Sequence, residues 1–326
     1  MKWGEGMTKY LFKRILSMIV ALFMISLITF VLVKRAPGNY LESQRYINQN
    51  LSDVNISPEM KLEWEKAYDL DKPEWYQYLK FMSRAVTFDF GPSFKFPSRN
   101  IQDLIAQSLP ISMTLAFGAI VLALFIGIPI GILAAVKKNT MIDRLAVFLS
   151  MIGASIPNYV IAVFLMLIMG VYLHIFPTVG WGKPIHYVLP TLALAVAPIG
   201  SITRYMRSSL IETLEKEYIK VAIAKGGGFK DVVLKHALKN SLIPLITVIG
   251  PQFTGLIVGT VFIEAVFVIP GFGNYFTGGA TSRDYPMVMA TTLVYAFLTM
   301  AMNLIVDLVY GFLDPRIRKN SMVEGR

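Results

Sequence analysis

The sequence predicts an all-α polytopic membrane protein, and three observations carry that prediction. Hydrophobic residues fill 55% of the 326 positions and charged residues only 16%, a balance too apolar for a soluble globular chain. Apolar runs near the roughly 20 residues needed to cross hydrocarbon recur along the chain. The net charge of +10 is gathered mainly into short basic stretches between those runs, as the positive-inside rule requires. That placement accounts for the charge without nucleic acid. The absence of cysteine excludes disulfides, thiolate metal sites and cysteine nucleophiles.

The first element is a basic leader, with Lys2, Lys9, Lys13 and Arg14 against Glu5, followed by an uncharged span over Ile15 to Val33. The span is long and no Ala-x-Ala site follows it, which favours a retained helix over a cleaved signal and places the N-terminus in the cytoplasm. Residues 34–110 form an extracytoplasmic insertion. Lys34 to Leu109 holds ten basic and ten acidic residues, a balance that suits a folded segment better than a nucleic-acid surface. Within it, Pro58 to Tyr68 and Pro73 to Arg84 read as amphipathic helices that start at proline with an acid beside it.

Residues 111–313 make the core. Ile111 to Val136 is the second span, with Gly127 and Gly131 at the spacing that lets helix backbones approach in lipid. Lys137, Lys138 and Arg144 mark a cytoplasmic turn. Leu145 to Leu173 is a third span, too long to be straight, with a kink expected at Pro157. His174 to Tyr187 is an outer hairpin whose Trp181 and Tyr187 suit the headgroup layer. Val188 to Thr203 is a short fourth span and Leu242 to Val268 the fifth. An outer turn, VFVIPGFGNYFTGGATSRDYP, precedes the sixth span at Val288 to Leu313, and residues 314–326 return the chain to the cytoplasm. Both termini are therefore expected inside.

Between the fourth and fifth spans lies the long basic interruption, residues 204–241. Arg204 to Lys239 carries eight basic and four acidic residues. Tyr218 to Lys225 reads as a short amphipathic helix, with Tyr218, Val221 and Ala222 on one face and Lys220 exposed. Gly226, Gly227 and Gly228 break it, because glycine accepts a positive-φ turn and loses most entropy in a helix. Lys230 to Lys239 is read as a second, separate amphipathic helix. Two short helices at a glycine elbow make a docking surface rather than a catalytic site.

The order A-x-A-K-G followed by H-A-L-K-N-S-L-I-P resembles the cytoplasmic loop of ABC importer permeases, and most closely that of the oligopeptide/dipeptide branch. The general superfamily pattern opens with Glu-Ala-Ala, where Lys220, Val221 and Ala222 stand here. SIPNYVIAVFL (Ser155 to Leu165), LPTLALAVAP (Leu189 to Pro198), RYMRSSLIETLEKEYIK (Arg204 to Lys220), PGFGNYF with RDYP, and the terminal LDPRIR are also similar to family segments, in family order. The resemblance implies a type I importer permease of five core spans, with the first helix packed around a second, homologous permease as a heterodimer. It also implies two ATPase subunits that carry ATP and magnesium, an extracellular peptide-binding lipoprotein, and the inner membrane of a prokaryote. The ATPase-docking residues it implies are Tyr218, Lys220, Val221, Ala222, Lys225 and Gly226. Oligopeptides are the expected cargo, with dipeptides and nickel chelates as alternatives within the family.

No G-x-x-x-x-G-K-[ST] loop is present, so no cofactor is expected on this chain and ATP hydrolysis belongs elsewhere. His174, His186 and His236 are too scattered for a metal site. Candidate pathway residues are the polar side chains at membrane depth: Asn158, Tyr159, Gln252 and Glu264. Glu264 either lines the path or sits at the outer interface, and Asp307 reads as a structural partner in the last span. An ion-coupled secondary transporter would want inverted repeats and several buried carboxylates, and an intramembrane enzyme a nucleophile–base or metal constellation. Neither pattern is evident in the sequence.

Overall fold

The computed structural model describes residues 3–36, 71–96 and 98–313, together with Glu59, Leu62, Lys66 and Asp69. The predicted helix over Pro58 to Tyr68 falls almost wholly outside the described residues, as does the tail DPRIRKN. In chain order the helices are α1 (Trp3–Arg35), α2 (Glu74–Val86), α3 (Ile101–Val136), α4 (Met141–Ser155) and α5 (Asn158–Leu165, continued as a π-helix over Met166–Tyr172). There follow α6 (Val188–Leu214, entered through a 3-10 turn at Pro184–Tyr187), α7 (Glu217–Ala224), α8 (Phe229–Val232), α9 (Leu238–Phe267), α10 (Phe272–Ser282) and α11 (Tyr285–Leu313).

Among the described residues, five stretches are long and apolar enough to cross a bilayer: Leu11–Arg35, Ile101–Val136, Pro184–Leu214, Val248–Phe267 and Tyr285–Leu308. The α4–α5 pair makes a sixth if it is counted as one broken span, with 101° between its halves. The break is more than the kink that Pro157 suggested. Proline lacks an N–H and pushes the preceding residue out of the helical region, and Ile156 sits at φ −88°, ψ 126°. α3 begins at Ile101 rather than Ile111, because Pro110 is carried inside a membrane helix instead of starting it.

The chain divides into two compact units, one of Met1–Ile111 with Pro270–Met300 and the other of Ser112–Ile269 with Ala301–Arg326. In the first, α2 is held to α1 by a buried hydrogen bond of 2.8 Å between the hydroxyls of Ser26 and Tyr78. The Tyr78 ring lies 5.9 Å from that of Phe23 and 5.3 Å from that of Phe30. The predicted outer turn proves to contain a helix, α10, which ends where Arg283 turns left-handed at φ +55°. Phe272 and Phe276 on α10 set their rings 4.6 and 5.8 Å from Tyr295, an i, i+4 pair hidden in the sequence among glycines. Asp284, buried, then starts α11. It accepts the Met287 N–H at 3.2 Å, the Lys95 N–H at 3.1 Å and the Ser93 hydroxyl.

α6 is the hub of the second unit, packing against α4, α5 and α9. Small residues set the contacts. An ideal Cβ on Gly127 would lie 2.9 Å from Ile202 Cγ2, and one on Gly131 would lie 2.7 Å from the Thr203 carbonyl oxygen. Thr203 adds a 3.3 Å hydrogen bond to the Gly127 carbonyl. Against α4, a Cβ on Gly200 would stand 2.5 Å from the Ser150 carbonyl oxygen, and Arg204 donates to that oxygen at 2.6 Å. The G-x-x-x-G reading of α3 is thus realised against α6. Such helices meet through backbone surface, because lipid supplies no hydrophobic drive for their association.

Candidate functional site

The basic interruption between α6 and α9 forms a projecting elbow. α6 stops at Leu214 and only Glu215 and Lys216 separate it from α7. Lys216 is extended at φ −70°, ψ 146°, which turns the chain and lets α7 start again with Glu217 in its first turn, the end that favours an acid. α7 closes with two backbone bonds, from Gly226 N–H to the Ile223 carbonyl at 2.9 Å and from Gly227 N–H to the Ala222 carbonyl at 3.2 Å. Gly226 sits at φ +89° with open space around its α-carbon. Backbone conformation alone therefore selects glycine there. Gly227 is different: a Cβ on it would lie 2.9 Å from the Ala222 carbonyl oxygen and 3.0 Å from Val232 Cγ2.

Burial divides α7 into two faces. Ile219 is fully buried and anchors the helix; it was absent from the predicted face. Tyr218, Val221 and Ile223 are exposed, each between 42% and 51%, while Ala222 is half-buried. Phe229 on α8 and Leu234 just after it are exposed as well. Among the described residues Lys220, Lys225 and Lys230 make no ion pair, whereas Lys235 pairs with Asp231 at 3.1 Å and Lys216 with Glu212 at 3.4 Å, both one turn apart. Exposed bulky apolar side chains and lysines without an ion pair thus occur together in this stretch.

The second predicted helix is not a separate element. Phe229–Val232 passes through a π turn at Val233–Ala237 into α9, which runs on through Pro244 and Pro251. No glycine or extended residue interrupts Leu238 to Leu242, so nothing ends the helix there. Asn240 donates to the Tyr218 hydroxyl at 2.8 Å and Ser209 to the Ser241 carbonyl at 2.9 Å. The elbow is consequently tied to α9 as well as to α6.

The polar residues at membrane depth fall in different settings. Asn158 is half-buried at the start of α5, its Nδ2 3.0 Å from where a Cβ on Gly259 would stand. Tyr159, beside it, is 46% exposed and its ring lies 5.9 Å from that of Phe262 on α9. Gln252 is half-buried on α9. Glu264 is fully buried and accepts the Ser112 hydroxyl. Asn158, Tyr159 and the α9 face carrying Gly259 and Phe262 therefore come together, while Glu264 is enclosed. Asp307 is half-buried. Among the described residues, no cluster of three or more histidine, aspartate or glutamate side chains could hold a metal ion.

The second unit thus gathers broken and continuous membrane helices about a small-residue hub, with a basic elbow between the hub and α9. The chain belongs to the family of binding-protein-dependent transport system inner membrane components, which matches residues 127–319. The N-terminal domain of such membrane components matches residues 7–116. The dipeptide transport system permease DppB of Bacillus subtilis is 40% identical over 96% of this chain and 98% of that protein. The oligopeptide transport system permease OppB of Escherichia coli is 37% identical over 96% of this chain and all of that protein. An inward-facing methionine ABC transporter, MetNI, shares the fold with a TM-score of 0.52 and 18% identity, over 65% of this chain and 96% of that one. An amino acid ABC transporter crystallised with histidines does so at 0.53 and 14%, over 65% of this chain and 94% of that one. This protein is accordingly a multi-pass membrane permease subunit.

Proposed function

We propose that the chain is one of two homologous permease subunits of an ATP-driven peptide importer, and that the α7 elbow is where a separate ATPase subunit docks. The observation that carries this reading is the open apolar face of α7, with Tyr218 and Val221 exposed over a buried Ile219 and unpaired Lys220 and Lys225 beside them. A helix of eight residues whose apolar face is left open among the described residues is built to be covered. Val221, Ala222 and Gly226 supply the rest of the contact and its turn. The names of the full-length relatives support peptides as cargo, dipeptides and oligopeptides alike. An extracellular peptide-binding lipoprotein delivers them, two ATPase subunits hold ATP and magnesium, and no nucleotide or metal binds this chain. Residues 34–110 lie outside the cell and both termini lie in the cytoplasm, a topology supported by the basic elbow and the basic turn after α3.

The translocation path runs along the α5–α9 face, where Tyr159 is accessible and Asn158 and Gln252 lie half-buried. The full burial of Glu264 against Ser112 supports a structural role for that carboxylate in the conformation described. The test is reconstitution in proteoliposomes with the partner permease, ATPases and binding protein, and measurement of the uptake of a labelled dipeptide and a labelled pentapeptide. Uptake that needs ATP inside and binding protein outside is expected. Uptake driven by a proton gradient without ATP would instead establish the secondary-transporter class.

A further inference from the structure

Below the elbow, a half-buried guanidinium and a buried carboxylate bridge α6 and α4. Asp143, in the first turn of α4, is 3% exposed. It takes both arms of the Arg207 guanidinium, Nε on Oδ1 and NH2 on Oδ2, the latter at 2.8 Å. The Asn139 N–H reaches Oδ2 at 2.9 Å, so the carboxylate also fixes the turn leading out of α3. Arg204 on α6 also holds the Ser150 carbonyl of α4 at 2.6 Å. Nearby, Lys138 in the turn before α4 makes an exposed pair with Glu215 at 2.9 Å. Glu215 is the first residue after α6, two positions before α7 begins.

These links leave the elbow with a rigid inner end. A bidentate Arg–carboxylate pair fixes distance and orientation together, which a single ammonium contact does not. A displacement of α7 must pass through the short Glu215–Lys216 connection into the last turns of α6. There it meets a helix bolted to α4, which itself leads through the 101° break into α5, the helix that carries Asn158 and Tyr159. We propose that Asp143 and Arg207 are positioning residues that convert movement of α7 into movement of the bent α4–α5 pair, and so set how much transport each ATP drives. This rests on the function proposed above and adds the route through the membrane subunit.

A buried ion pair is weak evidence for stability, since replacing both partners with apolar residues of similar volume is often neutral. That property separates coupling from folding. The test compares wild type, the double variant Asp143→Leu with Arg207→Met, and the single variant Arg207→Lys, each assembled with its partner subunits in proteoliposomes. Melting temperature, ATP hydrolysis and peptide uptake are read on the same preparations. The double variant is expected to assemble and melt close to wild type and to hydrolyse ATP, while uptake per ATP falls roughly 5-fold or more, the scale of an ordinary coupling free energy. Arg207→Lys, which keeps the charge but loses the fork, should fall between the two. A wild-type ratio of uptake to hydrolysis in either variant overturns the proposal. Failure of the importer reading itself would show earlier, as wild-type liposomes without ATP-dependent uptake.

Discussion

Gly131 and Met206 stand so close across the α3–α6 contact that a Cβ on the glycine would lie 2.6 Å from the Cβ of the methionine. Real β-carbons do not approach that far, and the Thr203 carbonyl, at 2.7 Å, is backbone and cannot swing away. The two helices would have to separate. At Gly127 the nearest atom is a side-chain methyl at 2.9 Å, and at Gly118 it is the Thr191 methyl at 3.3 Å.

The first prediction is therefore an order. Gly131→Ala should lower stability most, by about 1–3 kcal/mol as overpacking does, and Gly127→Ala less. Gly118→Ala should be nearly neutral, because alanine recovers about 1 kcal/mol of helix propensity. Thermal unfolding of the three variants in one detergent checks this. A Gly118→Ala protein less stable than Gly131→Ala would mean that α3 and α6 do not meet as described.

How much of this was legible in the sequence follows from the range of the forces involved. Spans and the glycine elbow depend on local composition, and Gly226 shows it: its positive φ could be read from three consecutive glycines after a short periodic helix. The glycine spacing of α3 was also visible, although its partner was not, because nothing in the residues near Gly127 names Ile202. Ile219 was missed because an eight-residue helix gives too few periods to tell its anchored face from its open one. α10 was missed for a related reason, since its apolar residues are interleaved with glycine and gain their partner, Tyr295, only through the fold. The merging of the second elbow helix into α9 depends on prolines being tolerated inside a membrane helix, where a soluble one would end.

The second prediction concerns Asp284, which serves three donors at once: the Ser93 hydroxyl and the backbone N–H groups of Lys95 and Met287. Asp284→Ala removes the cap of α11 and strands the buried Ser93 hydroxyl, while the exposed Lys95 N–H keeps the Ser93 oxygen at 3.1 Å. A lost cap costs about 1 kcal/mol and the stranded hydroxyl about 1–3, so the apparent melting temperature should drop more than for a capping change alone. Asp284→Asn keeps one acceptor oxygen and should recover part of the loss. If Asp284→Ala melts with wild type, the carboxylate is not the node that joins the segment before α3 to α11.

A third prediction follows from Asp89. Its side chain receives both arms of Arg84 at 3.0 Å, and the Gly91 N–H at 3.1 Å. These contacts favour the charged carboxylate, Arg84 most, and hold its pKa below the ordinary value despite partial burial. A depressed pKa means stabilisation that is present above the unfolded value, about 3.9, and is lost as pH falls through the folded one. Asp89→Asn should thus speed amide exchange at Gly91 relative to wild type at neutral pH, and the gap should close in strong acid. A gap unchanged at the lowest pH where the protein stays folded would show that charge is not what holds this loop.

The last prediction concerns Gly226 and separates conformation from crowding. At φ +89° with no atom within 4 Å of a built Cβ, any penalty at this position is backbone strain. Gly226→Val should cost about 1–2 kcal/mol locally, since a β-branched residue resists the left-handed region. Gly226→Asn adds a side chain of comparable bulk that tolerates that region, so it should cost distinctly less. Gly227 supplies the contrast, because Gly227→Ala places a methyl against the Ala222 carbonyl and Val232 whatever its backbone does. None of these changes touches a span, so membrane insertion should be normal in all three. Under the proposed docking role, ATPase association and peptide uptake should fall in Gly226→Val and Gly227→Ala and persist in Gly226→Asn. Equal loss in Gly226→Val and Gly226→Asn would point to a partner surface pressed against Gly226 itself. Normal association and uptake in all three would show that the shape of the elbow does not matter to the ATPase.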